Sequence, residues 1–395
     1  MAGDREIQFP EPVIQLLQSF LDGEEAARTA IVSKSWHSAW LTRPNLDFDD
    51  TYFGDDDFSE YAEKTIKRYE QLNLKIESFN LCMNINHKSR AELANKLIVK
   101  ALRIGASRLC LRLKRGDSFV LPNEVFGADN LVELSVSGCT IDLDDGVVIK
   151  CRSLESLSLD DVVFMRYDTV RNIISSCPSI KNLSLLSDVY PHNYRKLWYF
   201  EHKDDEELDE RAMAVGLVDN LIPRLRCLVL GSESFKTLCL GDLLSRFSFL
   251  KDFTLYLNGD INIYEETIQI SNSSIERIKL VQVLKSFPNY GYVRRPRLKF
   301  DVPSIRKFTY EGISIPRLSF ISTPPSREWE SHVCIQCKND EFPTCWFNEL
   351  SELLTKLSQS KTHLSLHSGC KLTAFDYKVG DNIIEGLYAN TSWRI

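Results

Sequence analysis

The chain has 395 residues, 43% hydrophobic and 26% charged, with a formal net charge of −7. That composition describes a globular protein, and its acidity argues against a general nucleic-acid binder, which needs a basic footprint. No apolar run is long enough to cross a bilayer, so neither a nucleic acid nor a membrane is an expected partner.

Asp4 and Glu6 with no apolar run behind them do not read as a secretory signal. The 11 cysteines are therefore expected as reduced thiols, and the protein as cytoplasmic and/or nuclear. Cys110, Cys139, Cys227 and Cys239 fall inside apolar stretches, where free cysteine behaves as a small core residue.

The first elements read as helical. Pro10 and Pro12 bracket a helix start, where a missing N–H costs little. Val13, Leu16, Leu17, Phe20 and Leu21 then recur at helical spacing, with Ile14 beside the stripe. Asp22-Gly23 is expected to stop this helix through a left-handed glycine. Glu24-Glu25 suit the first turn of a second helix carrying Ala26, Ala27, Ala30 and Ile31. Ser33 is placed to cap a third, with Trp36 and Trp40, which Pro44 ends. Three helices within roughly 35 residues cannot bury this much apolar surface among themselves. The excess marks either a partner surface or a helical cap on a larger domain.

The order of residues resembles an F-box. Phe9-Pro10 stands where that family opens with Leu-Pro, and Val32-Ser33-Lys34-Ser35-Trp36 matches its closing run. Trp40 to Asp50 is similar to the segment that comes after the box in plant members. The resemblance implies that residues 5–45 dock a Skp-family adaptor, which bridges to cullin. It implies contacts at Pro10, Val13, Ile14, Leu17, Phe20, Val32 and Trp36.

Residues 46–75 read as an acidic linker and a helical start, with Tyr52, Phe53 and Phe58 placed to pin the box against the body of the chain. Helical patterning at Tyr61–Asn73 and Ala91–Leu102 suggests a cover for an open end.

One phrase then recurs: an apolar residue, two others, then apolar-x-apolar. It is clearest from Leu131 to Ile141, which fits the leucine-rich-repeat template throughout. Its starts fall at 76, 106, 131, 154, 180, 225, 250, 275 and 305, mostly 23 to 30 residues apart, with a last fragment Leu364-x-Leu366. Residues 76–370 are thus expected to form nine or ten irregular repeats, with helical stretches such as Thr169–Cys177 on the outer wall. An acidic insertion near 190–215, including Glu201–Arg211, and a Pro/Gly-rich loop from Pro288 to Arg297 interrupt them. Residues 371–395 read as a tail or incomplete cap with a helix-like Asp381–Tyr388. The fold class is α/β: a short three-helix F-box, then a leucine-rich-repeat solenoid, a horseshoe with parallel strands on its concave face.

Alternate positions of each short strand should face outward. Candidate target-binding residues on that face are Arg108, Arg112, Glu133, Ser135, Ser158, Asp160, Asp252, Tyr256, Arg277, Lys279 and Lys307. The cations Arg277, Lys279 and Lys307 suggest an acidic segment as one thing they could meet.

No G-x-x-x-x-G-K loop, G-x-S-x-G elbow or H-E-x-x-H pair is present, so no catalytic residue is assigned. His332-x-Cys334-x-x-Cys337, with Cys345 later, has metal-like spacing but no recognisable zinc frame. His363 and His367 alternate with Leu364 and Leu366 and so read as strand, where four residues span roughly 13 Å, too far for one ion. No metal or cofactor is expected.

The resemblance implies a non-catalytic, substrate-recognition subunit of an SCF-type ubiquitin ligase, with an unknown protein target on the repeats. A repeat scaffold without a ligase role and, less favoured, a small-molecule co-receptor remain open.

Overall fold

The computed structural model describes residues 9–21, 23–53, 55–114, 119–143, 146–165, 169–186, 222–231, 240–258, 267–283, 295–322, 329–337, 344–368, 376–379 and 382–385. The acidic run Glu201–Arg211, Cys239 and most of the Pro288–Arg297 loop lie outside them. Two compact units divide the chain, residues 1–169 and 170–395.

The first unit begins with three helices, α1 (Glu11–Gln18), α2 (Gly23–Thr29) and α3 (Lys34–Thr42). Pro10 stands at the N-cap position of α1 without a side-chain capping bond, whereas Ser33 caps α3 by accepting the Trp36 N–H at 3.4 Å. α1 stops at Gln18 rather than at Asp22-Gly23. Its end tightens through i→i−3 bonds, Phe20 N–H to Leu17 O and Leu21 N–H to Gln18 O, so no left-handed glycine is needed. Gly23 instead opens α2.

Residues 46–49, expected from the sequence in an acidic linker, belong with Asn45 to the strand β1 (Asn45–Asp49). It leads a parallel sheet with β2 (Ser78–Asn84), β3 (Arg108–Lys114), β4 (Glu133–Ile141) and β5 (Ser156–Phe164). In register, Leu46, Phe79, Leu109, Leu134 and Leu157 make one buried row. Phe48, Leu81, Leu111, Val136 and Leu159 make the next. Burying each such side chain stabilises by roughly 1.5–3 kcal/mol relative to leaving it in water.

A backbone device repeats at each strand entry. Two successive N–H groups share one carbonyl: Ser107 and Arg108 on Glu77 O, Val132 and Glu133 on Ser107 O, Glu155 and Ser156 on Val132 O. Glu77 and Ser78 do the same on Pro44 O, which makes β1 one of the series.

Between the strands run α4 (Asp55–Leu72) and α5 (Lys88–Ile104). They alternate with β1, β2 and β3 as parts of successive repeats, rather than forming a cover at one end. Both end on left-handed residues. Asn73 has φ 50° and Gly105 φ 110°. Each is followed by a six-to-one bond, Leu74 N–H to Tyr69 O and Ala106 N–H to Ala101 O. The aromatics of the acidic segment hold α4 on β1. Phe58 is buried edge-on to Phe48, and Phe53 stacks on Tyr61 at 5.1 Å.

The second unit opens with α6 (Thr169–Ser176), as the helical spacing there suggests. Its parallel strands are β6 (Asn182–Leu186), β7 (Cys227–Gly231), β8 (Asp252–Asn258), β10 (Arg277–Val283), β12 (Lys307–Gly312), β14 (Trp329–Cys337) and β15 (Ser360–Ser368). Short helices α7 (Leu240–Ser245) and α8 (Thr344–Lys356) accompany them. Where further helices would be expected, β9 (Thr267–Ser271), β11 (Arg297–Asp301) and β13 (Arg317–Phe320) form a second parallel sheet. Each of these three offers only two apolar residues, in strict alternation, which suits a short strand and leaves a helix without a stripe. β11 packs onto the first sheet through Phe300 and Phe308, whose ring centroids are 5.5 Å apart.

β14 and β15 depart from the template. Val333 and Leu364 pair in register with Tyr310, so Ser331 and Thr362 occupy the row where Phe308 stands. These polar residues bond one another at 2.8 Å, which offsets their burial. Leu364-x-Leu366 is thus displaced by two residues from the register its pattern suggests. Asn382–Glu385, read as part of a helix, is instead a strand, β17, antiparallel to β16 (Asp376–Val379).

Candidate functional site

The helical bundle is built around Ile14, Ala26 and Ala39 and one buried amide. Gln18 Nε2 donates to Thr29 Oγ1 at 2.9 Å and to Trp36 O at 3.2 Å, tying α1 to α2 and α3. Gln15 Nε2 reaches Thr42 Oγ1 at 3.0 Å, and the Thr42 hydroxyl donates to Glu11 Oε1 at 2.6 Å.

This core corrects one expected contact. Ile14 is fully buried, so it holds the bundle together and offers nothing to a partner. At helical spacing Ile14 and Gln18 point inward, while Val13, Leu16, Leu17 and Phe20 stand in water. Phe20 is 78% exposed, Val32 66% and Ile31 89%. Pro10 is exposed and Trp36 partly so. Leu16, Leu21 and Ile31 belong to the same exposed apolar set, although the family resemblance does not single them out as contacts. The signal for Ile31 is its place just before the Ser33 cap, in the turn between two helices, where no helical stripe can bury it.

The alternate strand positions do make an open face in each unit. In the first, Arg108, Arg112 and Glu133 are exposed, and Ser135, Ser158 and Asp160 are half-buried. In the second, Asp252, Tyr256 and Lys279 are half-buried, and Arg277 and Lys307 are exposed. Two of the three cations expected to meet an acidic segment already have counter-ions. Arg277 grips Asp252 through two nitrogens, one at 2.6 Å, and Lys279 lies 2.8 Å from Glu311. The Asp252 carboxylate holds the Arg277 guanidinium above its ordinary pKa.

The histidine–cysteine spacing resolves into strand geometry. His332 and Cys334 alternate on the open face of β14, and the His332 ring stacks on His363 of β15 at 4.7 Å. Cys345 lies exposed in α8. Among the described residues no group of three His, Cys, Asp or Glu is placed to hold a metal ion. Burial pushes the Cys139 thiol up to about 12 and Cys151 up to about 11, while the half-buried Cys227 is raised for the same reason. Cys139 and Cys151 are core groups, as the sequence suggests, whereas Cys110 and Cys227 sit half-buried on open-face positions. No described helix is long and apolar enough to cross a membrane.

A Leucine Rich Repeat family profile matches residues 153–178, around β5 and α6. An F-box/FBD/LRR-repeat protein of Arabidopsis thaliana is 29% identical over 198 residues, 46% of this chain and 42% of its own length. An FBD-associated F-box protein of the same plant is 30% identical over 183 residues, again 46% and 42%. A putative F-box/FBD/LRR-repeat protein, also from Arabidopsis, is 26% identical over 253 residues, 62% of this chain and 56% of that one. The first two matches span less than half the length of these relatives. Repeated parallel strands with the leucine-rich-repeat register, behind three helices, agree with those names, and the chain is a homologue of plant F-box/LRR-repeat proteins.

Proposed function

We propose that the chain is the substrate-recognition subunit of an SCF-type (Skp–cullin–F-box) ubiquitin ligase. The helical bundle binds a Skp-family adaptor and through it cullin, the open faces of the repeats hold a protein target, and a separate conjugating enzyme modifies that target. In this reading the chain is not itself an enzyme. The observation that supports it most is the exposure of Val13, Leu16, Leu17, Phe20, Ile31 and Val32, large apolar side chains left in water on a bundle whose core is Ile14, Ala26 and Ala39. A bundle of this size gains nothing from such residues unless a partner covers them. The names of the relatives point the same way.

The test is co-purification with a Skp-family adaptor. Val13→Glu with Leu17→Glu alters only exposed positions, so the bundle stays folded while each buried carboxylate opposes binding, at a cost of about 2–4 kcal/mol. Undiminished adaptor binding by that double variant would remove the basis of the proposal.

A further inference from the structure

The open face of the first unit carries a pair of cations that no carboxylate among the described residues pairs. Arg112 and Lys114 are exposed two residues apart on β3. Their neighbours in register are uncharged: Cys82 and Ser137 beside Arg112, Asn84 beside Lys114. Among the described residues neither forms an ion pair. Asp49 and Asp160 lie one strand further out on either side of Arg112. Asp49 is occupied, accepting from Thr51 N–H at 2.9 Å and from the Thr51 hydroxyl at 2.7 Å. Asp50 is taken by Arg90. At the other end of β3, Arg108 has Glu77 at 3.6 Å and Glu133 beside it in register. The contrast with the second unit is direct, since Arg277 and Lys279 there are each neutralised across the sheet.

Two cations on one strand face stand about 7 Å apart, the same spacing as alternate side chains of any extended chain. Beside them the middle of the face on β4 and β5 is Ser135, Ser137, Ser156 and Ser158, a shallow floor of small polar groups, with Glu133 at its Arg108 end and the half-buried Asp160 beyond Ser137. From this geometry we infer that Arg112 and Lys114 receive an extended segment of a partner protein bearing anionic side chains at alternate positions. The acid-binding face is therefore on β3, not on Arg277 and Lys279. The inference rests on the reading of the open face as the target surface, and it adds the chemistry of the target.

Three fluorescein-labelled octapeptides test it against the full chain by anisotropy: alternating Glu-Ser, alternating Gln-Ser, and a Gln-Ser peptide with two phosphoserines at alternate positions. Binding of the Glu or phosphoserine peptide, weakened about tenfold by Arg112→Glu with Lys114→Glu and also by raised salt, is the expected result. The Glu peptide identifies carboxylates as the source of the charge; binding of the phosphoserine peptide alone identifies phosphorylation. Arg277→Ala should leave either affinity unchanged. Equal binding of the Gln-Ser peptide, no binding of any peptide, or indifference to the charge reversal overturns the inference. Cellular capture of targets separates it from the parent reading. Loss of captured proteins with Ser158→Arg but not with the charge reversal removes the acidic partner and keeps the face. No change with either variant removes the face as well.

Discussion

Replacing Arg90 by alanine should destabilise the first unit more than any surface substitution. Arg90 Nη2 lies 2.6 Å from Asp50 Oδ2, and their side chains are only 6% and 9% exposed. The same carboxylate oxygen accepts the Asn84 N–H at 2.7 Å, and the guanidinium sits over the Phe58 ring at 5.2 Å. Asp50 follows β1, Asn84 ends β2 and Arg90 begins α5, so one charge joins three elements. Removing the cation leaves a buried carboxylate with a single backbone donor, which costs about 3–5 kcal/mol. In a unit of this size each kcal/mol moves the midpoint by about 2–4 °C, so a fall of roughly 6–20 °C is expected. Asp50→Asn with Arg90→Met removes both charges yet keeps an acceptor for Asn84, and should recover more than half of that loss. Thermal melts of the full chain followed by circular dichroism give both values, and the cycle gives the coupling. A fall below about 2 °C for Arg90→Ala would mean that the acidic segment after β1 is a loosely attached linker after all.

The remaining predictions concern the core. Gly138 has φ 72°, and a Cβ there would lie 1.9 Å from the Leu113 carbonyl oxygen, so Gly138→Ala should cost more than about 2 kcal/mol in denaturant titration. Ile14→Ala should cost about 2–5 kcal/mol of bundle stability, whereas Val13→Ala should be within about 0.5 kcal/mol; equal losses would contradict the inward placement of Ile14. At pH 8, iodoacetamide should label exposed Cys345 long before Cys139 and Cys151, whose thiols burial raises to about 12 and about 11. Unfolding returns both to about 8.5, so the unfolded chain releases protons first, and stability should fall as pH rises from about 8.5 towards 11. Replacing both by alanine should flatten that decline, and a melting midpoint constant across the window in the parent chain would count against the burial.

Most of the strand series is legible because its signal is chemical and periodic. An inward row must be apolar wherever the next repeat covers it, so Leu131, Leu134 and Val136 reveal their strand without help. The strands that the pattern does not reveal as repeats are those in which a polar residue takes an inward position and satisfies itself locally. By register, Arg43 stands where Ile76 stands in the next repeat. It is buried, donates to Asn45 O at 2.8 Å and lies over the Trp40 ring at 5.0 Å. A buried Tyr69 hydroxyl closes the arrangement by donating to Arg43 O. An arginine in a leucine position breaks the phrase on paper, and the acidic residues after it complete the appearance of a linker. Ser331 hides β14 as a repeat by the same route, and Thr362 shifts β15, visible only as a fragment, by two residues from the register its pattern suggests.

The bundle shows the opposite limit. Its apolar residues are all visible, but a pattern cannot say which of two adjacent apolar residues faces in. Val13 and Ile14 are one step apart on α1, about 100° around the axis, and either could serve a three-helix core. What decides is Gln18, one turn beyond Ile14, whose amide is drawn inward by Thr29 and the Trp36 carbonyl. A polar residue thus fixes the apolar face, and the residues set off that face, Val13, Leu17 and Phe20 with Ile31 and Val32, become the surface. Polar groups with specific partners carry the information that periodicity lacks. On the open face the same holds for charge: Arg277 and Arg112 look alike in sequence, and only the neighbour across the strand, Asp252 beside the one and Ser137 beside the other, distinguishes a neutralised cation from one with an uncharged partner strand.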